Sequence, residues 1–121
     1  MKKTVEWYLE KGFSQKMAEY FASGRRKIIG VVPNSDFTLI LTFDNDEKRL
    51  FDMKPIIQPK TVFEYLSNWD IFSKVYLDSE LNVSWDKNPN IDSEIDWSNK
   101  IDLSTDSLYV DSIPLRRELN L

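Results

Sequence analysis

The chain lacks cysteine and histidine altogether. Without thiols, a small secreted fold stapled by disulfides is excluded. Without imidazole or thiol, the serine–histidine triad, the cysteine nucleophile and the Cys/His zinc site are excluded as well. Glycine stands only at positions 12, 24 and 30, so neither a dinucleotide fingerprint nor a P-loop can be written. No run approaches the ~18 apolar residues of a membrane span. The opening Met1-Lys2-Lys3-Thr4-Val5-Glu6 has no signal-peptide stretch. These absences set the expectation of a cytoplasmic protein that is not an enzyme, needs no cofactor and enters no membrane.

What is present is globular in character. Hydrophobic residues make up 41% of 121 positions, charged residues 30% and aromatics 13%. A chain of this length makes one domain and buries roughly two-thirds of its unfolded surface. The net charge of −4 is unevenly spread. Residues 1–27 carry seven bases and three acids, a balance of +4, and residues 28–121 carry nine bases and seventeen acids, a balance of −8. Within the latter, residues 78–111 hold nine acids against two bases. Such a surface repels nucleic acid, although the basic start leaves that partner open.

The pattern along the chain predicts an α+β fold of small antiparallel β-sheets, or hairpins, packed with short helices and preceded by an N-terminal helical hairpin. Thr4 caps a helix to Lys11 that Gly12 stops, and Ser14 caps a second to Ser23 that Gly24 stops. Phe13 stands where a hydrophobic staple would pack on Ala18. From Ile28 the pattern turns to strand, first Ile28 to Val32, then Phe37 to Phe43 with apolar residues at every second position. A three-residue turn, Asp44-Asn45-Asp46, leads to a strand from Lys48 to Met53. It sets Leu41 opposite Arg49 and Leu39 opposite Phe51, and it asks Asp46 for the left-handed region.

Further on, Thr61 is expected to cap a short helix through Leu66, and Asn68 to Lys74 to hold another turn. Val75–Leu77 and Asn82–Trp85 read as a second hairpin. Residues 86–103 read as a long loop with one short strand near Ile95-Asp96-Trp97. Ser104 or Thr105 caps a last helix that Pro114 ends. The division expected is residues 1–24 as a helical extension, 25–113 as the core domain and 114–121 as a tail.

Two constellations invite chemistry. From Asp86 to Glu94, oxygen side chains recur as in a calcium loop, yet Ile91 stands where Gly is needed and Trp97 where a bidentate carboxylate is needed. Asp86, Asp92, Asp96, Asp102 and Asp106 would have to converge to hold magnesium for hydrolysis. Solvated loop carboxylates bonding their own backbone are the simpler reading. Trp85 and Trp97 flank this acidic loop and suit either core or partner anchor. Arg25-Arg26-Lys27, near Tyr20 and Phe21, suits phosphate or base stacking, or a helix C-terminus.

The segments Val31-Val32-Pro33-Asn34, Asp36-Phe37-Thr38-Leu39 and Leu41-Thr42-Phe43-Asp44-Asn45, with Glu47, Arg49, Phe51-Asp52 and Pro55, are similar to the hallmark of a bacterial family. The family is known as domain of unknown function 2442. Val62-Phe63, Trp85, Asp102-Leu103 and Asp106-Ser107-Leu108-Tyr109 extend the resemblance over about residues 27–112. Glycine is usual in that family where Asp46 stands. The resemblance implies an α+β fold and carries over no catalytic residue. Some members resemble partners encoded beside small toxin-like proteins, and others add a DNA-binding helix–turn–helix. The expectation is therefore a binding module, an adaptor or antitoxin-like partner of another protein. The alternatives are a nucleic-acid-associated regulator and a carboxylate-based metal-dependent hydrolase. Self-association is open. The expected contact residues are Arg25, Arg26, Lys27, Trp85, Asp86, Trp97, Asp102, Asp106 and Tyr109.

Overall fold

In a computed structural model, residues 3–115 are described. Two short helices come first, α1 (Val5–Glu10) and α2 (Gln15–Ser23). Thr4 and Ser14 accept at their side chains from the amides of Trp7 and Met17, which satisfies an orphan donor in each first turn. Gly24 closes α2 at φ 100°. Phe13 packs against the rings of Tyr8 and Phe21, with centroids at 5.8 and 5.2 Å.

The first sheet has strand order β1 (Ile28–Pro33), β2 (Thr38–Phe43), β3 (Lys48–Asp52) and β7 (Ile113–Pro114), all antiparallel. Leu39 faces Phe51 and Leu41 faces Arg49, the register that apolar alternation predicts. Asp46 sits at φ 66° in the β2–β3 turn, and its amide donates to the Phe43 carbonyl at 2.9 Å. Phe37 falls just outside β2, at φ 63°. A bulky residue in that region costs free energy, which its ring offsets by packing on Phe72 and Trp69.

The second sheet has order β4 (Tyr76–Leu77), β5 (Val83–Asp86) and β6 (Lys100–Leu103). Between the sheets lie a 3-10 turn (Val62–Ser67) and helix α3 (Trp69–Phe72). Helix α4 (Thr105–Asp111) follows β6 and is capped by Ser104. One core joins both sheets: Leu39, Leu41, Phe43 and Phe51 from the first, with Met53 just beyond β3, cluster with Val83, Trp85 and Ile101 from the second. Leu66, Phe72 and Leu108 close it from the helices.

Three expectations need correction. Thr61 gives Val62–Ser67 no side-chain cap; its hydroxyl, which could still accept, is turned to donate to the Gln58 carbonyl at 2.8 Å. The late strand is Lys100–Leu103 rather than Ile95–Trp97; Ile95 and Trp97 face water, and a 3-10 turn starts at Trp97. Helix α4 ends at Asp111, before Pro114, and Pro114 pairs with Arg49 in the first sheet. The expected tail from residue 116 onward lies outside the described residues.

Candidate functional site

Two regions gather the chemically interesting side chains. The first is the junction where α2 meets α4 and β3. The Tyr20 hydroxyl donates to Asp106 at 2.6 Å and accepts from the Arg26 amide at 3.0 Å. Arg25 pairs with the other oxygen of Asp106 at 3.1 Å, and Arg26 faces Asp44 at 3.8 Å. Tyr109 stacks near Tyr20 and donates to Glu47 at 2.7 Å. Beneath it lies Arg49, nearly buried, with three bonds: to Glu47, to the Ser112 hydroxyl and to the Ser112 carbonyl. Its guanidinium also lies 4.4 Å from the centre of the Tyr109 ring.

Electrostatics follows from this packing. Burial, then the bond to Asp106, pushes the Tyr20 phenol up to about 12. Burial and the Glu47 carboxylate likewise raise Tyr109. For Glu47, burial acts upward, but the bonds from Tyr109, Arg49 and Asn45 together win and lower it. A groove of about 510 Å³ opens here between α2 and α4, with Lys16 and Glu19 on one wall and Val110 and Pro114 on the other. Tyr20, Arg49, Tyr109 and Ser112 in it are held by bonds to Asp106, to Glu47 and between Arg49 and Ser112, which tie α2 to α4 and α4 to β3.

The second region is the acidic loop from Asp86 to Asn99. Buried Asn99 organises it. Its side-chain carbonyl accepts from the Asn88 amide at 2.9 Å, and its amide group donates to the carbonyls of Asn88 and Ile91 and to the Ser93 hydroxyl. At the base, Asp86 accepts from Tyr76 and Ser93 at 2.8 and 2.5 Å. Burial and that carboxylate push the Tyr76 phenol up to about 12. Asp92 and Asp96 accept backbone amides two residues ahead, from Glu94 and Ser98. At the outer end Ile95 is 83% and Trp97 80% exposed. No cluster of three or more carboxylates able to hold a metal ion occurs among the described residues.

The expected contact residues thus divide. Arg25, Arg26, Asp106 and Tyr109 meet at the junction, Lys27 is exposed beside it, and Asp86 and Trp97 belong to the loop. Asp102 is exposed on β6. Trp85 must be corrected: it is fully buried, stacks on Phe72, and its indole N–H donates to the Phe72 carbonyl at 3.0 Å, so it offers no surface to a partner. Tyr20, Glu47 and Arg49, each noted in the sequence, and Asn99 were not among the expected contact residues. For Arg49 a signal existed, since the predicted register sets a cation opposite Leu41 on the apolar face.

A family described as "Protein of unknown function (DUF2442)" matches residues 28–114. The chain belongs to this family. The DUF2442 segment runs from the first residue of β1 to the last of β7, so it takes in both sheets and leaves α1 and α2 outside. It covers the acidic loop and the β3–α4 side of the junction, while Tyr20, Arg25 and Arg26 come from outside it. No curated protein and no solved structure matches the chain. No helix among the described residues is long and apolar enough to cross a membrane.

Proposed function

We propose that this DUF2442 protein is a non-enzymatic protein-binding module, an adaptor or antitoxin-like partner in the bacterial cytoplasm, whose anchor is the tip of the acidic loop. The observation that carries this reading is the pair Ile95 and Trp97, both at least 80% exposed, on a loop fixed by buried Asn99. An exposed tryptophan on a rigid support favours removal from water by a partner and loses little entropy in binding. Exposed carboxylates Asp92, Glu94 and Asp96 stand within five residues of it in the chain, so the partner surface suited to it is apolar at its centre and basic at its rim.

The nucleic-acid alternative has weaker support. Arg25 and Arg26 face Asp106 and Asp44, which reduces the charge they offer a phosphate.

The test compares the proteins retained by the full chain and by Trp97→Ala at equal concentration. The expected result is a stoichiometric basic partner whose affinity falls roughly 30-fold or more in the variant, as for a central anchor residue. Identical retention by both forms would remove the loop tip from consideration.

A further inference from the structure

The chain carries opposite charge in two places, and each place presents a matching apolar feature. On the N-terminal hairpin, within the stretch of net charge +4, a cleft of about 480 Å³ is walled by the rings of Trp7, Tyr8, Phe13 and Phe21. Lys3 and Arg25 line it, and the Lys3 and Lys11 ammonium groups stand 4.1 and 5.2 Å from the centre of the Trp7 ring. On the acidic loop, Trp97 and Ile95 protrude among exposed Asp92, Glu94 and Asp96. One feature is a knob with an anionic rim, and the other is a socket with a cationic rim. Trp97 is 80% exposed, so it does not fill the socket of its own chain.

We propose that the Trp97 indole docks into the aromatic cleft of a second copy of this chain, with the loop carboxylates meeting Lys3 and Lys11. This rests on the reading of the loop tip as a protein-binding surface and names its partner. Rings lining the cleft offer an indole edge-to-face contacts, and the rim charges fix orientation. Knob and socket are built from different residues of one chain, and Trp97 is not among the residues lining the socket. Two copies therefore close a pair when each places its knob in the other's socket.

The test is the mass of the full chain in solution by sedimentation or light scattering, across concentration and salt. Expected is a mass that rises above one chain with concentration and falls back at high salt, as screening weakens the rim. Trp97→Ala lacks the knob and Lys3→Glu/Lys11→Glu spoils the socket, so each alone stays monomeric. All three positions are exposed, so both variants keep the wild-type circular dichroism spectrum. Mixed, they form a heterodimer weaker than the wild-type pair, because one contact remains where there were two. A wild-type chain that stays monomeric overturns the proposal, as does self-association indifferent to Trp97→Ala or a mixture that forms no complex. If the chain is monomeric while Trp97→Ala still loses a foreign partner, the second copy is excluded and the protein-binding surface stands. If no partner is lost either, both readings fall.

Discussion

The helical pair and the sheet domain are stabilised in different ways. In the DUF2442 domain, twelve buried apolar side chains form one cluster drawn from both sheets and three helical segments. In the pair formed by α1 and α2, the buried residues are Ala18 and Tyr20, and rings such as Phe13 stay 40% exposed. Helices of six and nine residues are marginal alone. The pair is held down by polar groups instead: Tyr20 and Arg25 on Asp106, and Tyr20 against Tyr109. The domain thus rests on an apolar core, whereas the pair rests on a few directed contacts to α4. Local opening free energies should differ accordingly.

The largest effect expected from this contrast is in the domain. Trp85→Ala empties a fully buried site where both sheets meet and removes the bond to Phe72. The loss is about 3–5 kcal/mol, enough to unfold a marginal domain. Chemical denaturation checks it. A loss no greater than that of Phe13→Ala, in the half-exposed cluster, would erase the distinction between the two regions.

Next comes acid. Asp78 fixes the β4–β5 turn and ties it to β6. It accepts from the amides of Glu80 and Asn82, from Ser84, and from Lys100 at 2.7 Å. Burial acts upward on this carboxyl, but the Lys100 bond and the two amides bring it down from 3.8 to about 2. A lowered folded value means stability present above pH ~4 and lost as pH falls toward 2, worth roughly 2 kcal/mol. Other lowered carboxylates, including Glu47, add their own slope, so the measurement is the difference from Asp78→Asn. Wild type and variant should converge in stability as pH drops from 5 to about 2. A constant gap across that range would show that Lys100 does not hold the charge.

The junction gives a smaller and more local effect. Tyr20→Phe keeps the ring but deletes a hydroxyl that donates to Asp106 and accepts from Arg26. The cost is about 1–2 kcal/mol. It should surface as faster amide exchange confined to residues 5–26, with the DUF2442 core protected as before. Equal loosening of both regions would mean that they unfold as one unit.

Local signals carried much of this into the sequence. Thr4 and Ser14 are legible as caps because a cap needs only its own next three residues. The pairing of Leu39 with Phe51 is legible because a slip by one would turn every apolar side chain outward. What stayed hidden depends on distant partners. Lys100-Ile101-Asp102-Leu103 has two apolar residues, and it becomes a strand because β5 offers it an edge. Ile95 and Trp97 have strand-forming side chains, but the Asp96 cap and the Asn99 backbone amide bonded to the Asp96 carbonyl commit the backbone there to a 3-10 turn. Asn99 looks like any loop residue until the carbonyls it satisfies are folded around it. Tyr20 likewise looks like one more apolar helix residue, since its partner stands 86 positions away.

The two regions also treat the left-handed backbone differently. In the helical pair it falls on Gly12 and Gly24, at φ 94° and 100°. In the domain it falls on Phe37, Asp46, Lys60 and Leu81, at φ between 63° and 68°. The domain therefore carries strain that its packing offsets. At Phe37 the ring contacts explain the choice of residue, and removing it would cost more than the strain it relieves. Asp46 is different. It is exposed at a turn tip, and its own side chain makes no hydrogen bond or ion pair among the described residues. Glycine there removes the Cβ clash but enlarges the freedom of the unfolded chain, two effects of opposite sign. Relief of the left-handed penalty, about 1–2 kcal/mol for an ordinary residue and less for aspartate, is the larger. Asp46→Gly should therefore raise stability by up to ~1 kcal/mol, read as a higher melting temperature with β2–β3 pairing unchanged. A clear drop would mean that Asp46 makes a stabilising contribution in the turn that outweighs its backbone cost, and the domain would then hold its left-handed residues for their side chains alone.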